Sequence, residues 1–413
     1  MARIAFPSSS SSRSSCSWPP LLLLLLLYGK FGGFLCSRWE GNETERDLCL
    51  EIVRKDGYPC ESYTVTTEDG FLLGLHRITA GYEKEEDTSP RQPVFLQHGL
   101  LQGGDTWVLN SRDQSLGYIL ADEGFDVWIG SSRCTQWSHG HISYAKKDKE
   151  SWDWSWDELA AYDIPAFVQF VYSTTGFKVF YVGHSQGTII GLAAFTQKTV
   201  VDFLTGAALL SPITYLSHIT STFVNTAAHS YIEKLVKTMG MHEFNLRSDI
   251  GVELMDRVCA AKHVDCENML ASITGPNCCF NTTRIPYYLE YEPHSTSVKN
   301  LAHLAQMVRD GTYCKYDYGF LGNLRNYFTF SPPKYDLADI PQSLPLWMAY
   351  GGNDALSDGI DAAQTLAELP SDPLVVVIED YGHIDFILAD RAKNDLYDSM
   401  IAFFRSQTAV AAM

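Results

Sequence analysis

The pentapeptide Gly183-His184-Ser185-Gln186-Gly187 constrains this chain more than any other segment. It follows the apolar, β-rich run Val179-Phe180-Tyr181-Val182 and precedes a helix-like stretch from Thr188 to Thr199. Strand, G-x-S-x-G and helix in that order predict a sharp elbow that holds the serine hydroxyl clear of its neighbours, close to a helix N-terminus. A side chain at either glycine would crowd the strained turn or the strand and helix beside it. With glycine near 7% of residues, the bare pattern arises about 0.1 times by chance in a chain of this length. Its flanks and its chemical partners must therefore carry the inference.

From residue 60 onward the chain alternates strands with helices. Tyr63 to Ile78 reads as two short strands around the turn Asp69-Gly70, and Val94 to Gln97 as a buried strand ending in His98-Gly99. Ser115 to Glu123 is a helix, Phe125 to Ile129 a strand, and Asp157 to Thr174 a long amphipathic helix. After the elbow come strands at Ala207–Leu210, Leu344–Tyr350 and Leu374–Ile378, a helix near Ile360–Leu369, and a final helix from about Asp385 to Arg405. This alternation predicts a mainly parallel sheet covered on both faces, the α/β-hydrolase class. Residues 214–335 interrupt it with helical stretches, clustered cysteines and aromatic loops. The expected division is a core at 45–213 and 336–408, with a cap or lid insertion at 214–335 over the C-terminal ends of the strands.

A serine hydroxyl is a poor nucleophile at neutral pH. It needs a histidine to take its proton and an acid to hold the imidazole in the right tautomer. In this fold they follow in the order Ser, acid, His. Asp354 stands in Gly351-Gly352-Asn353-Asp354, directly after one core strand, and His383 in Tyr381-Gly382-His383, after the last. Asp358 lies four residues further from its strand, and Asp385 reads as the start of the last helix, where capping is its expected role. The oxyanion donors are expected to be the backbone N–H groups of Gln186 and of Leu100, in the loop after the third strand. His98 is expected to shape that loop, His184 to be structural, and Trp152, Trp154 and Trp156 to be core or cap contacts.

The 413 residues are 46% hydrophobic, as a folded globular protein requires. Ser-rich residues with Arg3 and Arg13, then seven leucines from Leu21 to Leu27, read as a signal peptide within 1–36, cleaved between Tyr28 and Arg38. A retained anchor is the competing reading, although the run is short for a bilayer. Without that segment the chain holds 28 basic against 49 acidic residues, a net of −21. Such a surface argues against nucleic acid and against docking on anionic lipid, not against a neutral apolar surface. Asn42 and Asn281 head N-glycosylation sequons. Eight cysteines follow the leader, and an oxidising compartment would pair some of them. Their spacing fits no CxxC pair, which argues against a zinc site; no other metal and no cofactor is expected.

Several segments together resemble one family. They are Leu96-Gln97-His98-Gly99-Leu100-Leu101, Gly183 to Thr188, Gly351-Gly352-Asn353-Asp354-Ala355-Leu356 and Gly382-His383-Ile384-Asp385-Phe386, with Gly275-Pro276-Asn277-Cys278-Cys279 and Ser295 to Asn300 in the insertion. The chain resembles the acid lipases over about residues 45–405, in wording most of all the plant branch of these gastric, lysosomal, plant and insect enzymes. The resemblance implies hydrolysis of neutral-lipid esters such as triacylglycerol at a lipid–water interface. It carries over Ser185, Asp354 and His383 as the triad and Leu100 and Gln186 as oxyanion donors. Apart from the resemblance, no stretch after the leader reaches transmembrane length, so no transmembrane anchor is expected after leader removal. A secreted or vacuolar triacylglycerol lipase is the leading expectation. A steryl-ester hydrolase, carboxylesterase or acyltransferase keeps the same triad, and a lipid-binding protein on an inactive scaffold is the rival from another class. Cys134 stands where the family has glycine. If that position needs positive φ, a cysteine there is strained.

Overall fold

The computed structural model describes residues 46–82, 90–248, 251 and 269–411. The expected leader, the sequon asparagine Asn42, and Cys259 and Cys266 lie outside them. The main sheet has eight strands: β1 (Cys60–Thr66), β2 (Leu72–Ile78), β3 (Pro93–Gln97), β4 (Asp126–Gly130), β5 (Val179–His184), β6 (Leu204–Leu210), β9 (Leu346–Gly351) and β10 (Leu374–Ile378). β7 (Glu243–Phe244) and β8 (Thr296–Ser297) form a separate two-residue ladder. The sheet order is β1-β2-β4-β3-β5-β6-β9-β10. β2 pairs antiparallel with β1 and β4; every pair from β4 to β10 is parallel.

The strand sequences explain this arrangement. β3, β4 and β5 are buried along their whole length, as β-branched and aromatic runs covered on both faces should be. Alternate side chains enter two cores. Phe95, Trp128 and Tyr181 pack with Phe167, Val168 and Ile189 on one face. Val94, Leu96, Val127, Ile129, Phe180 and Val182 pack with Leu120, Met400 and Phe404 on the other. Each such large side chain contributes about 1.5–3 kcal/mol on burial. The parallel strands thereby aim their C-terminal ends, and the loops after β3, β5, β9 and β10, at one rim.

Three helices depart from expectation. The helix expected over Asp157–Thr174 begins at Trp156 with a capping box between Ser155 and Glu158. It then widens into a π-turn at Leu159–Asp163 before the α-helix Ile164–Thr175. Pro165 is the physical reason: it lacks an N–H and its ring crowds the preceding turn, which the wider turn relieves. The helix after the elbow ends at Phe195, and Lys198–Val201 is a separate turn. The final helix is broken into Asp385–Leu388, a π-turn at Lys393–Tyr397 and Asp398–Ala411. At the break the chain bonds elsewhere: Ala389 bridges Phe280, and Asp390 N–H donates to the Cys279 carbonyl.

Between β6 and β9 the described residues add helices and the β7–β8 ladder, and no strand of the main sheet. Disulfides join Cys49 to Cys60 and Cys278 to Cys279, and Cys134 and Cys314 carry free thiols. No described helix is long and apolar enough to cross a membrane.

Candidate active site

Ser185 sits between β5 and the helix Gln186–Phe195 with φ 53° and ψ −121°, a conformation costing a non-glycine residue of order 1–3 kcal/mol. Both flanking glycines are forced by contact. A Cβ on Gly183 would meet the Gly187 carbonyl oxygen at 2.7 Å, and one on Gly187 would meet the Gln97 oxygen at 2.5 Å. The Thr188 amide and hydroxyl both donate to the Ser185 carbonyl, and the buried Tyr181 hydroxyl donates to the Gly187 carbonyl. The strain is thus held by its surroundings.

His383 Nε2 lies 2.7 Å from Ser185 Oγ. Its Nδ1 lies 3.0 and 2.9 Å from the two Asp354 oxygens. All three residues are buried. The Leu356 and Ser357 amides donate to Asp354 Oδ1 at 2.8 Å each. Burial alone would raise the Asp354 pKa; the field and hydrogen bond of His383 and those two amides bring it below the ordinary carboxylate value. An ionised Asp354 accepts the hydrogen bond of Nδ1–H, which leaves the Nε2 lone pair facing the serine hydroxyl. A relay of this kind can move the serine proton during acyl transfer.

Gly99 brings the loop after β3 against Ser185: a Cβ there would meet Ser185 Cβ at 2.9 Å. Leu100 follows directly, partly buried. Gln186 opens its helix, where backbone N–H groups have no intrahelical acceptor. His98 is held neutral by burial, its pKa lowered to about 4. Its Nε2 accepts from the Ser132 amide, so Nδ1–H faces the Gly99 carbonyl, 2.9 Å away. His184, lowered to about 3 by burial, places Nε2 3.0 Å from the His383 carbonyl.

The competing acids do other work. Asp358 caps the helix Gly359–Glu368 through the Ile360 amide. Asp385 does not cap its own helix. Its carboxylate accepts the amides of Gly382, Cys278 and Cys279, tying the histidine loop to the segment 274–279. The sequence marks that segment as a family motif but not as a support of the histidine loop. Its Thr274 carbonyl accepts the His383 and Ala355 amides, and Gly275, at φ 83°, lies so close that a Cβ would meet the Asn353 oxygen at 1.9 Å. Nor did the sequence point to Asn300, whose buried amide exchanges hydrogen bonds with the Gln186 side chain at 2.9 and 3.3 Å. The signal in the sequence is that Gly275–Cys279 and Ser295–Asn300 resemble family motifs.

Trp152, Trp154 and Trp156 are core residues; Trp156 stacks on His303 and Tyr313. Cys134 has φ 66°, so the backbone there is the left-handed one that favours glycine. Burial pushes its thiol up to about 12, and its Sγ lies 3.2 Å from the Ser151 carbonyl. Beside it the buried Arg133 guanidinium binds Asp163 and Asp69 and fixes the loop. Asn281 is half-buried, its Oδ1 accepting the Thr283 amide.

Two family models match the chain: a partial alpha/beta-hydrolase lipase region over residues 49–111 and the alpha/beta hydrolase fold over 92–239. Triacylglycerol lipase 1 of Arabidopsis thaliana is 49% identical over 360 residues, covering 87% of this chain and 91% of that protein. The gastric triacylglycerol lipase of Rattus norvegicus is 34% identical over 385 residues, covering 91% and 94%. Among solved structures, a soluble variant of monoglyceride lipase from Saccharomyces cerevisiae matches with a TM-score of 0.53 at 15% identity, covering 83% of this chain and 94% of that one, a likeness of fold alone. The elbow, the sheet order and these relatives together identify the chain as a member of the acid lipase family of α/β hydrolases, alongside the plant and gastric lipases.

Proposed function

We propose that the protein hydrolyses the carboxylic esters of triacylglycerol through an acyl-enzyme at Ser185. The observation that carries this reading is the placement of His383 between Ser185 Oγ and Asp354, at 2.7 and 2.9 Å. His383 takes the hydroxyl proton as Ser185 Oγ attacks the ester carbonyl. The oxyanion is stabilised by the backbone N–H groups of Leu100 and Gln186. The tetrahedral intermediate collapses, the glycerol oxygen leaves with the proton from His383, and the acyl group remains on Ser185. Water, deprotonated by His383, releases the fatty acid and restores the serine. Asp354 holds the imidazole and stabilises its charged form.

Residues 214–335 act in this reading as a cap with a lid segment over an apolar site, set on a core of 45–213 and 336–408. The leader directs the chain into the secretory pathway, to the cell exterior or the vacuole, and glycans are carried at Asn42 and Asn281. The names of the relatives support the neutral-lipid substrate. The test is Ser185→Ala on a triolein emulsion: turnover should vanish while the thermal midpoint is retained. Undiminished turnover by that variant would overturn the assignment.

A further inference from the structure

The helix Phe320–Tyr327 is built inside out. Its buried residue is Asn323, while Phe320, Leu321 and Leu324 face solvent, Leu321 at 75% exposure. Asn323 is turned inward by bonds to the Tyr318 amide, the Asp317 carboxylate and the Phe330 carbonyl. Phe328 ends the helix with φ 61°, where glycine is the usual residue, and is 86% exposed. The chain thus places a bulky aromatic in a strained, outward-facing position where a glycine would relieve the strain. Phe330 is also exposed, and its ring stacks on Phe320 with centroids 4.4 Å apart and planes 8° from parallel, so the two aromatics form one ordered plate.

The segment is a closed excursion. Cys314 bridges Lys334, and the Lys315 amide donates to the Pro333 carbonyl. From Tyr318 to Pro333 the only charged residue is Arg325, in a chain of net charge −18. The flanking Asp317 carboxylate is turned back onto Gly319 and Asn323. At its base Tyr316 and Tyr318 lie 5.6 and 5.2 Å from the Lys299 ammonium. Lys299 adjoins Asn300, the partner of the Gln186 side chain. The excursion therefore stands on the helix Val298–Asp310, which reaches the residue next to the nucleophile. An ordered apolar projection without acids matches one partner chemistry: a neutral lipid surface, where released fatty acids would repel the rest of this acidic molecule.

We propose that Phe320, Leu321, Leu324, Phe328 and Phe330 form the surface by which the protein adsorbs to a neutral-lipid–water interface. This rests on the reading that its substrate is a water-insoluble ester. The test uses the full-length protein, in wild-type, Leu321→Asp/Phe328→Asp and Phe328→Gly forms. Flotation with triolein droplets coated with phosphatidylcholine reads adsorption. Turnover of dissolved p-nitrophenyl butyrate reads the catalytic site, and light scattering reads self-association. The aspartate double variant should lose about tenfold or more in droplet partition, with soluble-ester turnover within about twofold of wild type. Phe328→Gly, which also relieves the strain, should lose part of the adsorption and gain or hold thermal stability. Unchanged droplet partition in both variants overturns the proposal. So does a wild-type dimer that the double variant dissociates, since the face would then serve a second copy. Absent soluble-ester turnover in the wild type would instead count against the proposed function, and the flotation result would still decide this one.

Discussion

Asp354→Asn isolates the electrostatic part of the relay. Asp354 Oδ1 is held by the Leu356 and Ser357 amides, both at 2.8 Å. An asparagine must keep its oxygen there, because its own NH2 cannot accept from those donors. Its nitrogen is thereby turned toward His383 Nδ1, 2.9 Å from the present Oδ2. A donor at that place opposes Nδ1–H, although the retained oxygen lies 3.0 Å from Nδ1; with Nδ1 as acceptor the ring proton moves to Nε2 and points at Ser185 Oγ. The imidazole then cannot take the serine proton. A tautomer locked the wrong way costs on the order of 10⁴ in kcat, or about 5 kcal/mol of transition-state stabilisation. The variant should stay folded, since both backbone hydrogen bonds survive. The assay is kcat on dissolved p-nitrophenyl butyrate, with the thermal midpoint recorded on the same sample. Asp358→Asn is the control: it can still cap Ile360 and should remain within about twofold of wild type. A loss of less than about tenfold in a folded Asp354→Asn protein would refute the reasoning.

Further predictions concern the surroundings. Burial, and next the neighbouring Glu158, raise the Asp157 pKa from 3.8 to about 7. The folded state therefore holds a proton that the unfolded state has lost, and stability from this group falls as pH rises from about 4 through about 7. The decline is on the order of 4 kcal/mol at most; denaturant titrations from pH 4 to 8 should show it in the wild type and a flatter profile in Asp157→Asn. Arg133→Met leaves the buried Asp163 carboxylate without its cation, which should cost about 3–5 kcal/mol, with part restored by adding Asp163→Asn; equal stability of the single and double variants would contradict this. Asn300→Leu removes both partners of the buried Gln186 amide. It should cost about 1–3 kcal/mol, read as a lower midpoint of urea unfolding.

The convergence of Ser185, His383 and Asp354 was legible because each lies in a segment that follows local rules. Ser185 directly follows β5, Asp354 and His383 stand in the loops after β9 and β10, and strand order decides which loops share a rim. Asp385 shows the limit. A helix-start position suggests a cap, yet its carboxylate serves amides more than a hundred residues away in sequence. The same holds for Thr274, Gly275 and Asn300, whose roles are contacts between segments joined only in three dimensions. The inverted helix at Phe320–Tyr327 is a third case. The sequence shows there only one of the helical stretches of the insertion, and it is the inward bonds of Asn323 that mark its apolar residues as outward-facing. At Cys134 the sequence raised the question of positive φ, and the backbone answers it at 66°. The π-turn before Ile164 and the breaks after Leu388 lie between these cases, since Pro165 signals the first and only the pairing of Ala389 with Phe280 explains the second.

The most direct measurement is covalent labelling with an active-site organophosphonate, followed by peptide mass mapping. One adduct is expected, on Ser185, formed by the wild type and suppressed in His383→Ala. A folded protein that takes no label, or takes it on another residue while Ser185 stays free, would contradict the assignment of Ser185 as the nucleophile.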